Sequence, residues 1–150
     1  MANQENLDKT YMRMAEQLSQ LSQAERKKVG ALIVKGTQII SEGYNGTPSG
    51  FDNRCERVDH LDEMYTKEEV LHAESNAITK LARSTNSSDR STLYVTLAPC
   101  FECSKLIIQA GITRVVYKDR YHRNGLSFLS KAGVEITHIY DYEDEFKASV

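Results

Sequence analysis

Residues 92–118 read TLYVTLAPCFECSKLIIQAGITRVVYK and contain a complete β-α-β unit. The first part is rich in β-branched and aromatic side chains, which favours a strand over residues 92–97. The pattern then predicts a helix over residues 100–110, ended by Gly111 in a C-cap position, and a second strand over residues 113–118. A strand, a helix and a strand in this order are typical of an α/β layered fold.

Downstream of this unit, one more helix and one more strand are predicted. Turn residues and apolar spacing favour a helix over residues 125–132, closed by Gly133, and a strand over residues 134–140. The remaining residues, 141–150, are acidic, and we expect them to form a mobile tail.

Upstream, the pattern predicts a helix, two strands and a second helix. The first helix carries an apolar stripe formed by Leu7, Tyr11, Met14, Leu18 and Leu21. Strands over residues 29–35 and 39–44 flank a short turn and form a hairpin. The second helix is predicted over residues 66–83, where Thr66 and Glu69 have the spacing of a capping box. Strands alternating with helices after an opening hairpin predict a mixed sheet covered on both faces.

Residues 45–62 form the longest predicted loop. Gly46, Pro48 and Gly50 lie close together at its start, beside a strand end, so the chain must turn sharply there. Loops of this length in a compact domain are often functional. We therefore expect this loop to serve a site rather than to be a surface excursion.

Composition predicts a single domain over residues 1–150. A chain of 150 residues, 40% of them hydrophobic, can bury an adequate core without disulfides or metals. The formal net charge of −2 disfavours general binding to polynucleotides, which requires a positive field. No apolar stretch approaches the ~20 residues that span a bilayer, and the polar first residues do not resemble a secretory signal. The odd number of cysteines disfavours a disulfide framework, so we expect a cytoplasmic protein, or one in the host cytoplasm if the source is viral.

Two short motifs place metal-binding side chains near the start of the second predicted helix and at the start of the third. HAE occupies residues 72–74 and PCFEC occupies residues 99–103. The candidate zinc ligands are His72, Cys100 and Cys103. Three such ligands leave a fourth tetrahedral position open, which is typical of catalytic zinc, and a helix N-terminus favours thiolates. Glu74 is not a ligand in this scheme, and its place beside the open position makes it a candidate general acid/base.

A structural zinc site or a redox pair is the alternative for the C-x-x-C motif. A structural site needs a fourth protein ligand, and Cys55 is the only other cysteine. Glu74 favours the catalytic interpretation, because a structural site has no need of an acid/base so close to a ligand.

H-x-E followed by P-C-x-x-C resembles the signature of the zinc nucleobase deaminases. The resemblance covers nearly the whole chain and implies a cytidine-deaminase-like fold, a three-layer α/β/α sandwich with a five-stranded mixed sheet. In that family, zinc-activated water attacks the amino-bearing carbon of the base, and the glutamate carries protons to the ring nitrogen and to departing ammonia. By this resemblance, His72, Cys100 and Cys103 hold Zn²⁺ and Glu74 is catalytic.

The flanking segments resemble the deoxycytidylate (dCMP) deaminases in particular, with a short chain similar to the bacteriophage members. Besides HAE, the segments are VGA at 29–31, GYNGTPSG at 43–50, TLAPC at 96–100 and DRYH at 119–122. The resemblance implies hydrolysis of dCMP to dUMP and ammonia, which supplies dUMP for thymidylate synthesis. The alternatives are another zinc deaminase, acting on cytidine or on adenosine in tRNA, and a non-catalytic zinc-binding interaction module.

A nucleotide substrate brings a 5′-phosphate, which favours charge-assisted hydrogen bonds from cations. The expected substrate-binding residues are Arg26, Lys27, Asn45, Ala73, Ala98, Arg120 and Tyr121. Among them, Asn45 resembles the family asparagine that bonds the nucleotide sugar. The alternative for the basic run at residues 26–28 is a solvated charge cluster after the first helix.

The resemblance also implies allosteric control, with dCTP as activator and dTTP as inhibitor, in a homohexamer. We expect Mg²⁺ to accompany each effector, because it offsets the charge of the triphosphate. The expected effector-binding residues are Lys28, Gly46, Thr47, Pro48, Gly50, Phe51 and Asn53. Backbone N–H groups in glycine-rich loops are good phosphate donors. Some phage relatives carry a second, structural zinc. Cys55, His60 and His122 are available for one here, but no second cysteine lies near Ser22, so we expect no complete second site.

Overall fold

The computed structural model describes residues 3–140, so the tail at 141–150 lies outside the described residues. In chain order the elements are α1 (Gln4–Ser19), β1 (Gly30–Lys35), β2 (Gln38–Tyr44), β3 (Glu56–Val58), β4 (Met64–Thr66), α2 (Ala73–Lys80) with a 3₁₀ turn (Leu81–Arg83), β5 (Thr92–Leu97), α3 (Phe101–Gln109), β6 (Arg114–Asp119), α4 (Leu126–Lys131) and β7 (Glu135–His138). Within this range no helix combines the length and the apolar character needed to cross a bilayer.

Five of the strands form one mixed sheet in the order β2-β1-β5-β6-β7. β1 runs antiparallel to both β2 and β5, whereas β5, β6 and β7 run parallel to one another. α3 connects β5 to β6 and α4 connects β6 to β7, as parallel neighbours require a crossover connection. The predicted mixed sheet is therefore confirmed.

Helices cover both faces of the sheet. Alternate residues of β1 point to opposite sides, so Ala31 and Ile33 join one core cluster while Leu32 and Val34 join the other. The first cluster lies under α2, α3 and α4, and the second lies under α1, which contributes the fully buried Met12 and Ala15. This is the expected three-layer α/β/α sandwich.

The apolar stripe predicted for the first helix is only partly correct. Tyr11 is buried, but Met14 and Leu21 are 40% and 55% exposed. Leu21 lies beyond the end of α1. Compared with the predicted orientation, α1 is rotated about its axis so that the small Ala15 faces the sheet. The helix can approach the sheet closely there because Gly30 of β1 has no side chain.

The predicted start of the second helix is wrong. Thr66 ends β4, so it forms no capping box, and α2 begins only at Ala73. The backbone before α2 is paired with distant segments: Leu71 exchanges hydrogen bonds with Gly46 (2.8 and 3.0 Å), and the Lys67 N–H donates to the Cys55 carbonyl (2.8 Å). Amide groups that are paired in this way cannot join a helix.

The long loop predicted after β2 contains part of a second, small sheet. β3 and β4 form an antiparallel hairpin in which Glu56 pairs with Thr66 and Val58 pairs with Met64. Strands of three residues carry too little alternating pattern to be recognised in the sequence. This hairpin forms one wall of the cavity described below.

Candidate functional site

The N-termini of α2 and α3 meet at one side of the sheet. His72 is the N-cap residue of α2 and Cys100 is the N-cap residue of α3. The Cys103 N–H donates to Cys100 Sγ at 3.4 Å, so the sulfur satisfies a free amide of the first helical turn. β2 supports the start of α2 closely, since a Cβ at Gly43 would lie 2.5 Å from the Ala73 carbonyl oxygen.

The three candidate ligands converge with distances that suit zinc. His72 Nδ1 lies 3.5 Å from Cys100 Sγ and 3.3 Å from Cys103 Sγ. Tetrahedral zinc, with bonds of about 2.3 Å to sulfur and 2.0 Å to nitrogen, separates such N and S atoms by about 3.5 Å. Within residues 3–140, these residues form the only group of three or more potential ligands with atoms close enough to share an ion. The donor set and its spacing therefore fit Zn²⁺.

The protonation of this group also favours a cation. The pKa of Cys100 is lowered to about 4 by its hydrogen bond with the Cys103 thiol, and also by His72 and the Cys103 N–H. The same hydrogen bond with Cys100, together with burial, raises the pKa of the Cys103 thiol. The protein alone thus stabilises one thiolate of the pair, and a divalent cation bound here would supply the charge needed to hold both.

Glu74 lies in the first turn of α2 and is 4% exposed. Burial raises the pKa of its carboxyl group to about 7. A carboxyl group near neutrality can both take up and release a proton, as a general acid/base must. Its neighbours His72 and Cys100 line the same cavity.

A cavity of about 470 Å³ opens in front of this group. Every residue expected to bind substrate lines it, namely Arg26, Lys27, Asn45, Ala73, Ala98, Arg120 and Tyr121. His72, Glu74 and Cys100 also line it, whereas Cys103 lies buried behind them. Such a volume suits a small molecule.

The cations of the cavity differ in their partners. Lys27 Nζ lies 3.1 Å from Asp119 Oδ2 in an exposed ion pair. By contrast, the guanidinium groups of Arg26 and Arg120 form no ion pair or hydrogen bond with another side chain or backbone group in the described range 3–140. These two arginines are therefore the groups in the cavity best able to receive an anion.

Asn45 secures the chain around the cavity. Its Oδ1 accepts from the Val29 N–H at 2.9 Å, and its Nδ2 donates to the Lys27 carbonyl at 2.8 Å. Each end of the amide keeps one further hydrogen-bonding position, which is available to a ligand in the cavity.

The residues expected to bind effectors lie outside the cavity lining. Lys28 is exposed, and residues 46–53 continue from Asn45 as a surface loop. Gly50 takes a φ of 92°, which turns the chain sharply, and Phe51 is 58% exposed. Cys55, His60 and His122 form no shared metal group within residues 3–140.

Several lining residues were not identified from the sequence. The hairpin and its flanks contribute Cys55, Glu56, Thr66 and Val70, all from the segment predicted as loop and helix. Glu56 is 5% exposed although it is charged. A buried carboxylate has no signature in a single sequence, because Glu residues are mostly exposed.

Comparisons with known proteins agree with this geometry. The family profile of the cytidine and deoxycytidylate deaminase zinc-binding region matches residues 5–119. The deoxycytidylate deaminase of Enterobacteria phage T4 is 33% identical to this chain, over 87% of this chain and 88% of the T4 protein. The human deoxycytidylate deaminase is 40% identical, over 75% of this chain and 65% of the human protein.

A solved structure extends the match to three dimensions. The dCMP deaminase of cyanophage S-TIM5, crystallised in complex with dCMP and dUMP, has a TM-score of 0.85 and 42% identity. The alignment covers 92% of this chain and 100% of the cyanophage chain. The chain therefore belongs to the family of cytidine and deoxycytidylate deaminases that share this zinc-binding region.

Proposed function

We propose that this deaminase hydrolyses dCMP to dUMP and ammonia. The observation that carries the proposal is that one cavity contains both the group of His72, Glu74 and Cys100 and two arginines, Arg26 and Arg120, whose guanidinium groups have no partner among residues 3–140. A cytosine nucleotide matches this cavity, because its base can face His72, Glu74 and Cys100 while its 5′-phosphate faces Arg26 and Arg120. The names of the T4 and human relatives, and the dCMP and dUMP bound to the cyanophage enzyme, support this substrate.

His72, Cys100 and Cys103 would hold a zinc ion at the helix starts. Zinc at such a site acts as a Lewis acid that makes water nucleophilic at neutral pH. The surrounding protein contributes the orientation of these ligands. Cys100 is fixed by its N-cap hydrogen bond, and the Ser104 hydroxyl donates to the Cys100 carbonyl at 2.8 Å.

Glu74 would move the protons. Deamination forms a C–O bond at C4 of cytosine and breaks the C–N bond to the amino group. One proton from water must reach the ring nitrogen N3, and a further proton must reach the departing amine. A buried carboxyl group whose pKa lies at about 7 can take the proton from water and release it to nitrogen.

Arg26 and Arg120 would bind the 5′-phosphate, and Asn45 the sugar. Arginine recognises phosphate through paired N–H donors, and its charge is not lost at neutral pH. Lys27 is already paired with Asp119, so we assign it a weaker, longer-range role. Ala73, Ala98 and Tyr121 would form the walls against the base.

We further propose that the family's regulation applies to this chain. dCTP would activate and dTTP would inhibit, each with Mg²⁺, at the site formed by Lys28 and residues 46–53. Support comes from the exposure of this loop and from its direct continuity with Asn45 at the cavity. The proposal also includes assembly as a homohexamer and a single domain over residues 1–150. It places the protein in the cytoplasm, where it would supply dUMP for thymidylate synthesis.

An ultraviolet assay tests the activity. Protein of measured zinc content is mixed with dCMP, deoxycytidine or single-stranded DNA, and the loss of cytosine absorbance is followed. We expect rapid turnover of dCMP, weak turnover of deoxycytidine and none of DNA. Equal turnover of dCMP and deoxycytidine would contradict the nucleotide substrate, and no turnover by the zinc-loaded protein would contradict the activity itself.

A further inference from the structure

Glu56 is a buried carboxylate in the wall of the cavity, outside the group of zinc ligands. It is the first residue of β3 and is 5% exposed. Its two oxygens accept from the Glu25 N–H at 3.0 and 2.9 Å, and one of them also lies 3.3 Å from the Arg26 N–H. A buried carboxylate is costly unless such donors satisfy it.

The segment that Glu56 holds has no regular structure of its own. It connects α1 to β1, and hydrogen bonds to residues far along the chain fix it at three places. Near its start, the Ser22 hydroxyl donates to the Asn45 carbonyl at 2.8 Å, and near its end the Asn45 amide bonds Lys27 and Val29. Between these points, Glu56 binds the backbone of residues 25 and 26.

Arg26 depends on this middle contact for its place. Its side chain lines the cavity, and its guanidinium has no partner among residues 3–140 that could hold it there. Among residues 3–140, the hydrogen bond that holds Arg26 itself is therefore the one from its backbone amide to Glu56, at 3.3 Å. The loss of that contact would free residues 25 and 26 to move together.

We propose that Glu56 is a positioning residue for phosphate recognition, which holds the backbone of residues 25 and 26 so that Arg26 faces the cavity. The inference rests on the proposed function, since it assigns the substrate phosphate to Arg26. Glu56 acts through backbone amides, whose N–H groups stabilise its carboxylate in place of water. Through Arg26, it links the β3–β4 hairpin to phosphate recognition, a link that neither the motifs nor the zinc group contains.

The test compares kinetic constants of zinc-loaded variants for dCMP and deoxycytidine. Glu56→Gln keeps the shape but places an amide NH₂ opposite a backbone N–H. We expect the KM for dCMP to rise ~10-fold, as for the loss of a charged hydrogen bond, with kcat and the KM for deoxycytidine changed less than ~2-fold. Glu63→Gln, the same change at an exposed position of the same hairpin, should match wild type.

A double-variant cycle identifies the route. If Glu56 acts through Arg26, then Glu56→Gln combined with Arg26→Ala should bind dCMP no more weakly than Arg26→Ala alone. The inference would be overturned if the increases in the KM for dCMP multiplied in the double variant. It would also be overturned if Glu56→Gln raised the KM values for dCMP and deoxycytidine equally, or if Glu56→Gln kept the wild-type constants. An Arg26→Ala protein with unchanged KM would also overturn it, while turnover of dCMP by wild type would leave the proposed function standing.

Hydrogen exchange in the zinc-loaded wild-type protein gives a measurement that does not require a variant to fold. The amides of Glu25 and Arg26 should exchange at least ~10-fold more slowly than unprotected amides. Exchange at the unprotected rate would show that Glu56 does not hold them, and would overturn the inference.

Discussion

Asp8 on α1 and Arg114 on β6 form a bidentate ion pair on the face of the sheet that α1 covers. Arg114 Nη1 and Nη2 lie 2.8 and 2.6 Å from the two Asp8 oxygens. The Asp8 side chain is only 8% exposed and the Arg114 side chain 15%. Tyr94 adds a hydrogen bond of 2.6 Å from its hydroxyl to Asp8. Burial alone would raise the pKa of Asp8, but the hydrogen bonds from Arg114, Tyr94 and Gln4 outweigh it and lower the pKa.

Arg114→Met should destabilise the fold by about 3–5 kcal/mol, because it leaves a buried carboxylate without its cation. Urea unfolding at pH 7 measures this, with Arg90→Met as the control, since the Arg90 side chain is 81% exposed. The stability that ionised Asp8 provides is present above its ordinary pKa of 3.8 and is lost as the pH falls through the lower folded value. The difference between wild type and Arg114→Met should therefore shrink below about pH 4. Equal urea midpoints for Arg114→Met and Arg90→Met at pH 7 would contradict the prediction.

Glu74→Ala should fold and keep its zinc but lose ~10²–10⁴ in kcat, since the proton carrier is removed. The upper end is expected because one group serves several proton steps. Glu102→Ala is the matched control: Glu102 lies on α3 beside Cys103, but its side chain is 77% exposed and paired with Lys105. Turnover and zinc content are measured on the same samples. Wild-type turnover in zinc-loaded Glu74→Ala would refute the assigned role.

Cys103→Ala should lose zinc, turnover and thermal stability together, because metal binding is linked to local folding. The control is Cys55→Ala, which removes a buried thiol that also lies near the cavity but outside the ligand group. Cys55→Ala should retain one zinc per chain. Full zinc content in Cys103→Ala, or loss of zinc in Cys55→Ala, would mean that the ligand set is different.

Arg120→Ala should weaken the use of dCMP while that of deoxycytidine hardly changes. Loss of a charged hydrogen bond costs about 1.5–3 kcal/mol, or roughly 10- to 100-fold in kcat/KM. Arg123→Ala serves as control, since Arg123 is exposed but does not line the cavity. If both substrates lose equally, Arg120 does not bind phosphate.

Effector control should reside in the loop at residues 46–53. We expect a sigmoidal dCMP curve without effector, a hyperbolic one with dCTP and Mg²⁺, and a right shift with dTTP, reflecting ~1–3 kcal/mol of coupling. Gly50→Ala should alter these responses, because its φ of 92° strains any side chain. Gly36→Ala makes the same change at φ 64° in the β1–β2 turn and should leave them intact. A hyperbolic curve that neither nucleotide moves would remove the switch from this protein.

Local signals in the sequence were sufficient where an element carries its own pattern. The strand at Thr92–Leu97 was predicted with its observed bounds, and α3 differs from its predicted bounds by one residue at each end. The spacing of Cys100 and Cys103 spans one helical turn, so a helix start brings both sulfurs to one side without help from the rest of the chain. Those predictions depended on neighbours in the sequence.

Positions that depend on distant partners were predicted poorly. The start of α2 was placed too early because the apolar pattern continues through Leu71, whereas that residue pairs with Gly46. The β3–β4 hairpin was missed because each of its strands has only three residues, too few to show an alternating pattern. Nothing near Glu56 in the sequence indicates that its partners are the amides of residues 25 and 26.

The sequence by itself therefore determined the α/β class, the succession along the chain of the helices and the strands of the main sheet, and the residue types able to hold zinc and move protons. These follow from periodicity, turn residues and chemical identity, which are local properties. Only the tertiary structure decided which cavity cations lack a partner among residues 3–140, which carboxylates are buried, and that His72 Nδ1 lies 3.5 Å from Cys100 Sγ. Pairing and burial depend on contacts between segments far apart in the chain, and those contacts exist only once the sheet has brought its strands together.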